Sequence, residues 1–213
     1  RVTFKDIGHK AEIHKWAKKL GATVTEMKLS SQFRCNGSNA YLAWLDSCLQ
    51  IHETANTDIS DLNYTVEVVD DPNDLRDTIY RKNKKKNRAR IVAGYCWDWV
   101  TKKKSSKHLS DIVISEYDFG MKWNLESDGN LWIDKPDSVT EVGCIHTCQG
   151  LELDYVGVII GNDLLCREGV LTTNPDGRAK TDQSLKGYKK LFKSNPKEAL
   201  DRADAIIRNT YRT

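Results

Sequence analysis

The residues best placed to do chemistry lie in one short stretch, Gly143-Cys144-Ile145-His146-Thr147-Cys148-Gln149-Gly150-Leu151-Glu152, which is followed by the apolar run Tyr155 to Ile160. A polar, glycine-bearing loop between two strand-like runs presents functional groups at the edge of a sheet. His146, Thr147 and Gln149 offer hydrogen-bonding groups, and Gly150 lets the backbone approach a ligand closely. Glu152 supplies a carboxylate suited to a ribose hydroxyl. Cys144, His146 and Cys148 alternate, but three residues so close together do not complete a tetrahedral metal shell, and no second ligand pair accompanies them; no metal site is expected.

A second group of candidates follows another strand-like run, at Leu29-Ser30-Ser31-Gln32-Phe33-Arg34-Cys35-Asn36-Gly37-Ser38. Here an aromatic residue precedes an arginine, whose planar fork holds phosphate oxygens two at a time. The bland alternative is a strand-end arginine beside a core phenylalanine.

The charge of the chain is unevenly spread. Its net charge is +3, from 33 Lys and Arg against 30 Asp and Glu. Arg81 to Lys107 holds eleven of the basic residues and one acid, Asp98, giving +10; the other 22 basic and 29 acidic residues give −7. A local basic segment, here with Lys84, Lys85 and Lys86, is an electrostatic footprint for phosphate backbones. Tyr95, Trp97 and Trp99 lie within it, either stacking on bases or filling the core.

The elements that must position these residues follow from periodicity. Ile13, Trp16, Ala17 and Leu20 have helical spacing, closed by Gly21. Val24 to Leu29 reads as a strand. Ser38 caps a helix carrying Tyr41, Leu42, Leu45, Cys48 and Leu49. Tyr64 to Val69 alternates as a strand, Asp71-Pro72 starts a helix through Leu75 and Ile79, and Ile91 to Gly94 is a short buried strand. Asp128-Gly129 predicts a β-hairpin between Phe119 to Leu125 and Leu131 to Ile133. The chain closes on a helix that starts at Pro196 and turns Leu200, Ala203, Ile207 and Tyr211 inward. Alternating strands and helices give an α/β fold with a mostly parallel sheet, whose ligands bind beyond the carboxyl ends of the strands.

At 213 residues and 39% hydrophobic content, one domain spanning 1–213 is expected. The sequence shows neither a membrane-length apolar run nor a secretory leader, and its start at Arg1-Val2-Thr3-Phe4 reads as a cut through a longer protein. Six cysteines (Cys35, Cys48, Cys96, Cys144, Cys148 and Cys166) in mostly apolar contexts suit free thiols in the cytoplasm.

The loop from His146 to Asp154 resembles motif V of superfamily-1 helicases, and Gln32-Phe33-Arg34 resembles their motif IV. The wording around both, including Tyr41-Leu42-Ala43-Trp44-Leu45-Asp46 and Gly94-Tyr95-Cys96-Trp97-Asp98-Trp99, is similar to the Schlafen group-3-like DNA/RNA helicases over nearly the whole chain. The resemblance implies a RecA-like sheet flanked by helices, with a β-hairpin insertion, as the second motor domain of an ATP-dependent helicase or translocase. It implies Gln32, Phe33 and Arg34 around ATP, with Phe33 near the adenine and Arg34 on the γ-phosphate. Gln149 and Gly150 would lie by that phosphate, with Gln149 sharing the catalytic role of Arg34, and Glu152 by the ribose. His146 and Thr147 would serve coupling or nucleic-acid contacts, alongside Trp97, Trp99 and Lys84 to Lys86, and Asp154 would be structural. The implied partners are single-stranded DNA or RNA and a preceding RecA-like domain. That domain would hold the phosphate loop and the magnesium carboxylates that this sequence lacks, so ATP with Mg²⁺ belongs to the full-length protein and this chain alone should not hydrolyse it. Arg208-Asn209-Thr210-Tyr211-Arg212 resembles the beginning of motif VI. The alternative function is a nucleic-acid-binding or regulatory module that kept the fold and lost the motor; a third is a protein-interaction domain using the acidic remainder.

Overall fold

A computed structural model describes residues 10–27, 39–55, 59–60, 64–102, 109–124, 132–148 and 150–212. Six helices, α1 (Lys10–Leu20), α2 (Asn39–Cys48), α3 (Pro72–Lys85), α4 (Ile145–Cys148), α5 (Tyr188–Ser194) and α6 (Pro196–Arg212), accompany seven strands among them. The strands are β1 (Ala89–Ala93), β2 (Ile112–Ile114), β3 (Phe119–Trp123), β4 (Glu141–Gly143), β5 (Tyr155–Ile159), β6 (Leu164–Arg167) and β7 (Val170–Thr173).

Five strands form one sheet in the order β2-β3-β4-β1-β5. The pairs β3–β4, β4–β1 and β1–β5 are parallel, and only β2 runs antiparallel to its neighbour. The fold is therefore α/β with a mostly parallel sheet flanked by helices, as expected of a RecA-like domain. β1 is central and almost continuously buried, as a strand covered on both faces must be. β3 alternates, turning Phe119, Met121 and Trp123 inward and Gly120 and Lys122 outward. Those three join Ile79, Ile91, Ile112, Val142 and Ile159 in the main core.

Local chemistry sets the helix ends. The Asp71 carboxylate accepts from the Asn73 N–H at 2.7 Å, and Pro72 occupies the first turn of α3. At the start of α6 the Asn195 side chain accepts from the Glu198 N–H at 3.3 Å while its amide donates back to the Glu198 carboxylate at 2.9 Å. α3 packs on β5 where Gly157 leaves room: a Cβ there would stand 3.0 Å from Leu75 and 3.1 Å from Ile79. A second core joins Leu49, Leu164 and Ile207, with Leu45, Leu171 and Tyr211 against it.

The antiparallel pairing of β3 differs from the expected hairpin. Its partner lies upstream, with Ile112 opposite Met121 and Ile114 opposite Phe119, and the turn between them uses Asp118 at φ 48°. Ile133 is in a turn instead of a strand. Both edges of β3 are taken, by β2 and by β4, so none is left for residues near Ile133, whose carbonyl and that of Lys135 instead accept from the buried Arg90 guanidinium at 2.6 and 3.3 Å. Asp128, Gly129 and Leu131 lie outside the described residues, as does Ser38. A hairpin insertion does exist at β6–β7, turning at Glu168-Gly169.

Other expectations are corrected. Val24 to Met27, the described part of one expected strand, and Tyr64 to Val69 form no strand. In the second segment Val66 and Val68 point to solvent, and alternation without a buried face to fill has nothing to hold it in a sheet. The apolar stripe of α1 is turned outward, with Ile13, Trp16 and Leu20 exposed. Cys48 is exposed at the end of α2. In α6, Leu200 is exposed, and Ala199, Ala203, Ile206 and Ile207 form the buried stripe.

Candidate functional site

Because β3, β4, β1 and β5 run in parallel, the residues following each come together at one edge: Asn124, Cys144 to Thr147, Gly94 to Trp97, and Gly161 to Asp163. After β4 the chain makes the single helical turn α4. The Thr147 hydroxyl accepts from the Cys144 N–H at 2.8 Å, and its own proton is within reach of the Cys144 carbonyl (2.9 Å) and the Asn124 side-chain oxygen (3.3 Å). Thr147 thus fixes the turn. Gly143 is required for it, since a Cβ would fall 2.5 Å from the Trp132 ring. His146 is carried outward by the turn and lies 6.1 Å from the Tyr95 ring, tilted by 49°.

From Cys144 to Asp154 the chain crosses from the carboxyl edge of β4 to the amino edge of β5, which pairs beside β1 from Tyr155 onward. Gly150 lies on this crossover with φ +86° and nothing within 4 Å of where a Cβ would be. Backbone conformation and open space, not internal packing, call for glycine there. Glu152 and Asp154 then arrive at the amino edge. Their partners are cations at the start of β1: Arg88 Nη2 stands 3.7 Å from the Glu152 carboxylate, and Lys86 Nζ stands 3.0 Å from that of Asp154. The Glu152 side chain is 86% exposed, so its carboxylate is accessible and the pair itself worth little. Glu152 and His146 therefore sit on opposite edges of the sheet, where the sequence reading expected ligands only beyond the carboxyl ends.

The basic segment divides in the same way. Lys84, Lys85 and Lys86 are exposed at the end of α3, on the amino edge. Trp97 and Trp99 follow β1 on the carboxyl edge and are half-buried against the core. Trp97 Nε1 donates to the Val113 carbonyl at 3.2 Å, its own carbonyl accepts from Trp123 Nε1 at 3.4 Å, and Lys102 lies 5.5 Å over the Trp99 ring. Arg90 is a structural residue, its charged form disfavoured by burial. Gln32, Phe33, Arg34 and Gln149 lie outside the described residues.

One assembly at the carboxyl edge has no counterpart in the sequence reading. Asp163, beyond β5, accepts from the Tyr211 hydroxyl at 2.5 Å, and that hydroxyl accepts from the Gly161 N–H at 3.1 Å. The Arg178 guanidinium pairs with Asp163, donates to Asp182 (3.1 Å) and Thr210 (2.8 Å), and lies 5.6 Å over the Tyr95 ring. Burial, and next the Asp163 charge, push the neighbouring Cys96 thiol up to about 12, and raise Tyr211 likewise. Asp163 comes shortly after β5 and Arg178 fifteen positions later, just past Asn174-Pro175-Asp176-Gly177, and no pattern in the sequence pairs them. Arg208 and Arg212, in the stretch resembling the start of motif VI, are turned inward as well: Arg208 donates to the Leu171 carbonyl at 3.0 Å and Arg212 pairs with the buried Asp46.

No described helix is long and apolar enough to cross a membrane. The chain is 24% identical over 151 residues to the "Uncharacterized protein YPL245W" of Saccharomyces cerevisiae (strain ATCC 204508 / S288c), a match covering 64% of this chain and 32% of the relative. The chain thus spans about a third of the length of that relative. No solved structure matches it. The family model described as "Schlafen group 3, DNA/RNA helicase domain" matches residues 1–213. With that match over its whole length, on an α/β fold with a mostly parallel sheet, the chain belongs to the Schlafen group 3 DNA/RNA helicase domain family.

Proposed function

We propose that this chain is the second RecA-like domain of an ATP-dependent DNA or RNA helicase or translocase, part of a longer cytoplasmic protein. The observation that carries the reading is the crossover from Cys144 to Asp154, which joins the two edges of the parallel sheet through one short segment. At its start the exposed His146 is at hand for a nucleic-acid backbone, on a turn held by Thr147, whose hydroxyl is committed to Cys144 and Asn124. At its end the exposed Glu152 carboxylate is suited to accept from a ribose hydroxyl, with Lys86 and Arg88 beside it to offset anionic phosphates. In this reading the two ends are coupled along these eleven residues of backbone, as a motor requires.

ATP supplies the driving free energy when bound. In this reading Arg34 and the Gln149-Gly150 segment meet its γ-phosphate, Gln32 and Phe33 flank the base, and the preceding domain holds Mg²⁺. This domain then forms one wall of a cleft whose closing and opening moves a single strand. The test is steady-state ATP hydrolysis by the full-length protein with saturating single-stranded DNA or RNA. Arg34→Ala should lose on the order of a hundredfold or more in kcat, with circular dichroism unchanged. A kcat near wild type would leave Arg34 a structural residue and favour the competing reading, a nucleic-acid-binding or regulatory module without a motor.

A further inference from the structure

A second basic surface lies outside the segment 81–107. From Gln183 to Lys197 the sequence carries five lysines and no acid. Lys186, Lys189, Lys190, Lys193 and Lys197 are all exposed. A charge run alone is ordinarily a solvated face. Here two further features accompany it. On α5, Tyr188 and Phe192 are spaced i, i+4 with ring centroids 5.7 Å apart, and Lys189 and Lys193 repeat that spacing one position on, so an aromatic stripe runs beside a cationic one. Phe192 is 40% exposed, so part of its ring is accessible from solvent. Where Asp176 approaches these two stripes there is a shallow, open surface pocket of about 290 Å³ lined by Asp176, Tyr188, Lys189, Phe192 and Lys193.

We infer that this pocket on α5 is a binding site for one nucleotide unit of a single-stranded nucleic acid, with the base on the Phe192 ring and the flanking phosphates on Lys189 and Lys193. Every base has a π-face, so an aromatic ring beside cations suits a strand of any sequence. Asp176 lies 3.9 Å from Lys189 and can accept from a base amino group or sugar hydroxyl, leaving the lysines to the phosphates. The position fits a track. Arg178 is tied to Asp163, the Ala179 N–H donates to the Tyr95 carbonyl at 2.8 Å, and Thr181 donates to Asp98 at 2.9 Å, so this segment lies across the carboxyl edge. Seven residues separate Thr181 from Tyr188, which places α5 within roughly 25 Å of it. Asp176, one wall of the pocket, precedes Gly177, which packs on the Asn162 carbonyl beyond β5, so the pocket borders the sheet edge that also carries His146. The inference rests on the nucleic-acid contact proposed above and extends it to a second site.

The experiment is fluorescence anisotropy of labelled oligo(dT) and oligo(U) with the full 213-residue chain, across a salt series. Lys189→Glu with Lys193→Glu should weaken binding more than tenfold and flatten the log–log salt slope by about 1.4. Phe192→Ala should weaken it about tenfold, Phe192→Trp should retain it, and the indole at that position should be quenched by the strand. Retained affinity in Phe192→Ala would overturn the site even if the charge reversals weaken binding, because only diffuse attraction would remain. Quenching of the Phe192→Trp variant by AMP or ATP as strong as by the strand would make the pocket a free-nucleotide site and overturn the strand assignment. Thermal melting shows whether each variant folds, and Lys190→Glu, on the same helix outside the pocket lining, serves should the double reversal unfold: it should cost less than either change within the pocket. Binding lost in His146→Ala yet untouched by every α5 change would overturn this site and leave the proposed function standing. No strand binding by the wild-type chain would overturn this site, while the proposed function is decided separately by the ATPase of the full-length protein.

Discussion

Arg178 and Asp163 face each other at 2.7 Å, Nε to Oδ2, with 2% and 0% of their side chains exposed. Further bonds hold both ends of the pair: Asp163 Oδ1 accepts from Tyr211, and Arg178 donates through its terminal nitrogens to Asp182, Ser184 and Thr210. The pair joins the end of β5, the segment between β7 and α5, and α6. A sealed pair of this kind adds little relative to an apolar replacement, but removing one partner strands the other charge.

Arg178→Ala should accordingly destabilise the domain by about 3–5 kcal/mol in urea unfolding, because Asp163 is left buried and charged. Asp163→Asn should cost less, since Arg178 keeps its Asp182 partner at 3.1 Å. Equal, small losses for both would mean that solvent reaches the pair.

Gly94 and Tyr211 should prove strongly coupled. A Cβ on Gly94 would stand 2.1 Å from the Tyr211 hydroxyl and 2.6 Å from its ring carbon Cζ, so either β1 or α6 must shift to admit it. Gly94→Ala should cost about 1–3 kcal/mol in the wild-type background and distinctly less with Tyr211→Ala present. Additive losses would show that the two do not press on each other.

What the sequence made legible was the periodic and the punctuated. Asp71-Pro72 and Pro196 marked helix starts because capping and ring constraints act within a few residues. Ile91 to Gly94 was readable because a central strand buries both faces and so carries an apolar run. The partners of β3 were not, because one edge pairs with the preceding β2 and the other with β4, a parallel pairing that no turn signal announces. Trp97 and Trp99 were open between base stacking and core; both pack half-buried on the core, and Trp97 is tied there by hydrogen bonds to Val113 and Trp123 that no local pattern announces. For the candidate site, His146, Gly150 and Glu152 stood out by type, whereas their distribution over two edges depends on β4 and β5 flanking β1. The Asp163–Arg178–Tyr211 assembly joins residues up to 48 positions apart and left no sequence signal.

Alkaline pH should weaken the fold through Cys96. Burial and the Asp163 charge raise its thiol from the ordinary 9.0 to about 12, so the folded chain keeps a proton that the unfolded chain gives up. Its contribution is fully present below about pH 9 and is lost as pH rises through about 12, at up to about 1.4 kcal/mol per pH unit. Cys148, raised to about 11 chiefly by burial, acts in the same direction over a narrower window. Urea unfolding as a function of pH should give a shallower alkaline slope for Cys96→Ala than for wild type. An unchanged slope would mean that Cys96 titrates as it does in water.

The separation of Glu152 from His146 predicts two distinct kinetic defects in the full-length protein. Glu152 lies at the amino edge with its carboxylate 86% exposed beside Arg88, and a ribose contact made there would be present in ground and transition states alike. Its loss in Glu152→Ala should raise the KM for ATP and leave kcat little changed. His146 is at the carboxyl edge against Tyr95, on the side away from Glu152. His146→Ala should leave the basal ATPase and its KM intact and raise the concentration of single strand needed for half-maximal stimulation. The two effects should add in free energy if the crossover only connects the sites, and should exceed additivity if the strand at one edge tightens ATP at the other. Steady-state ATPase assays over a grid of ATP and oligonucleotide concentrations, on both single variants and the double, measure all of these terms. A His146→Ala variant altered in its KM for ATP without nucleic acid present would place His146 in the nucleotide cleft and undo the two-edge assignment.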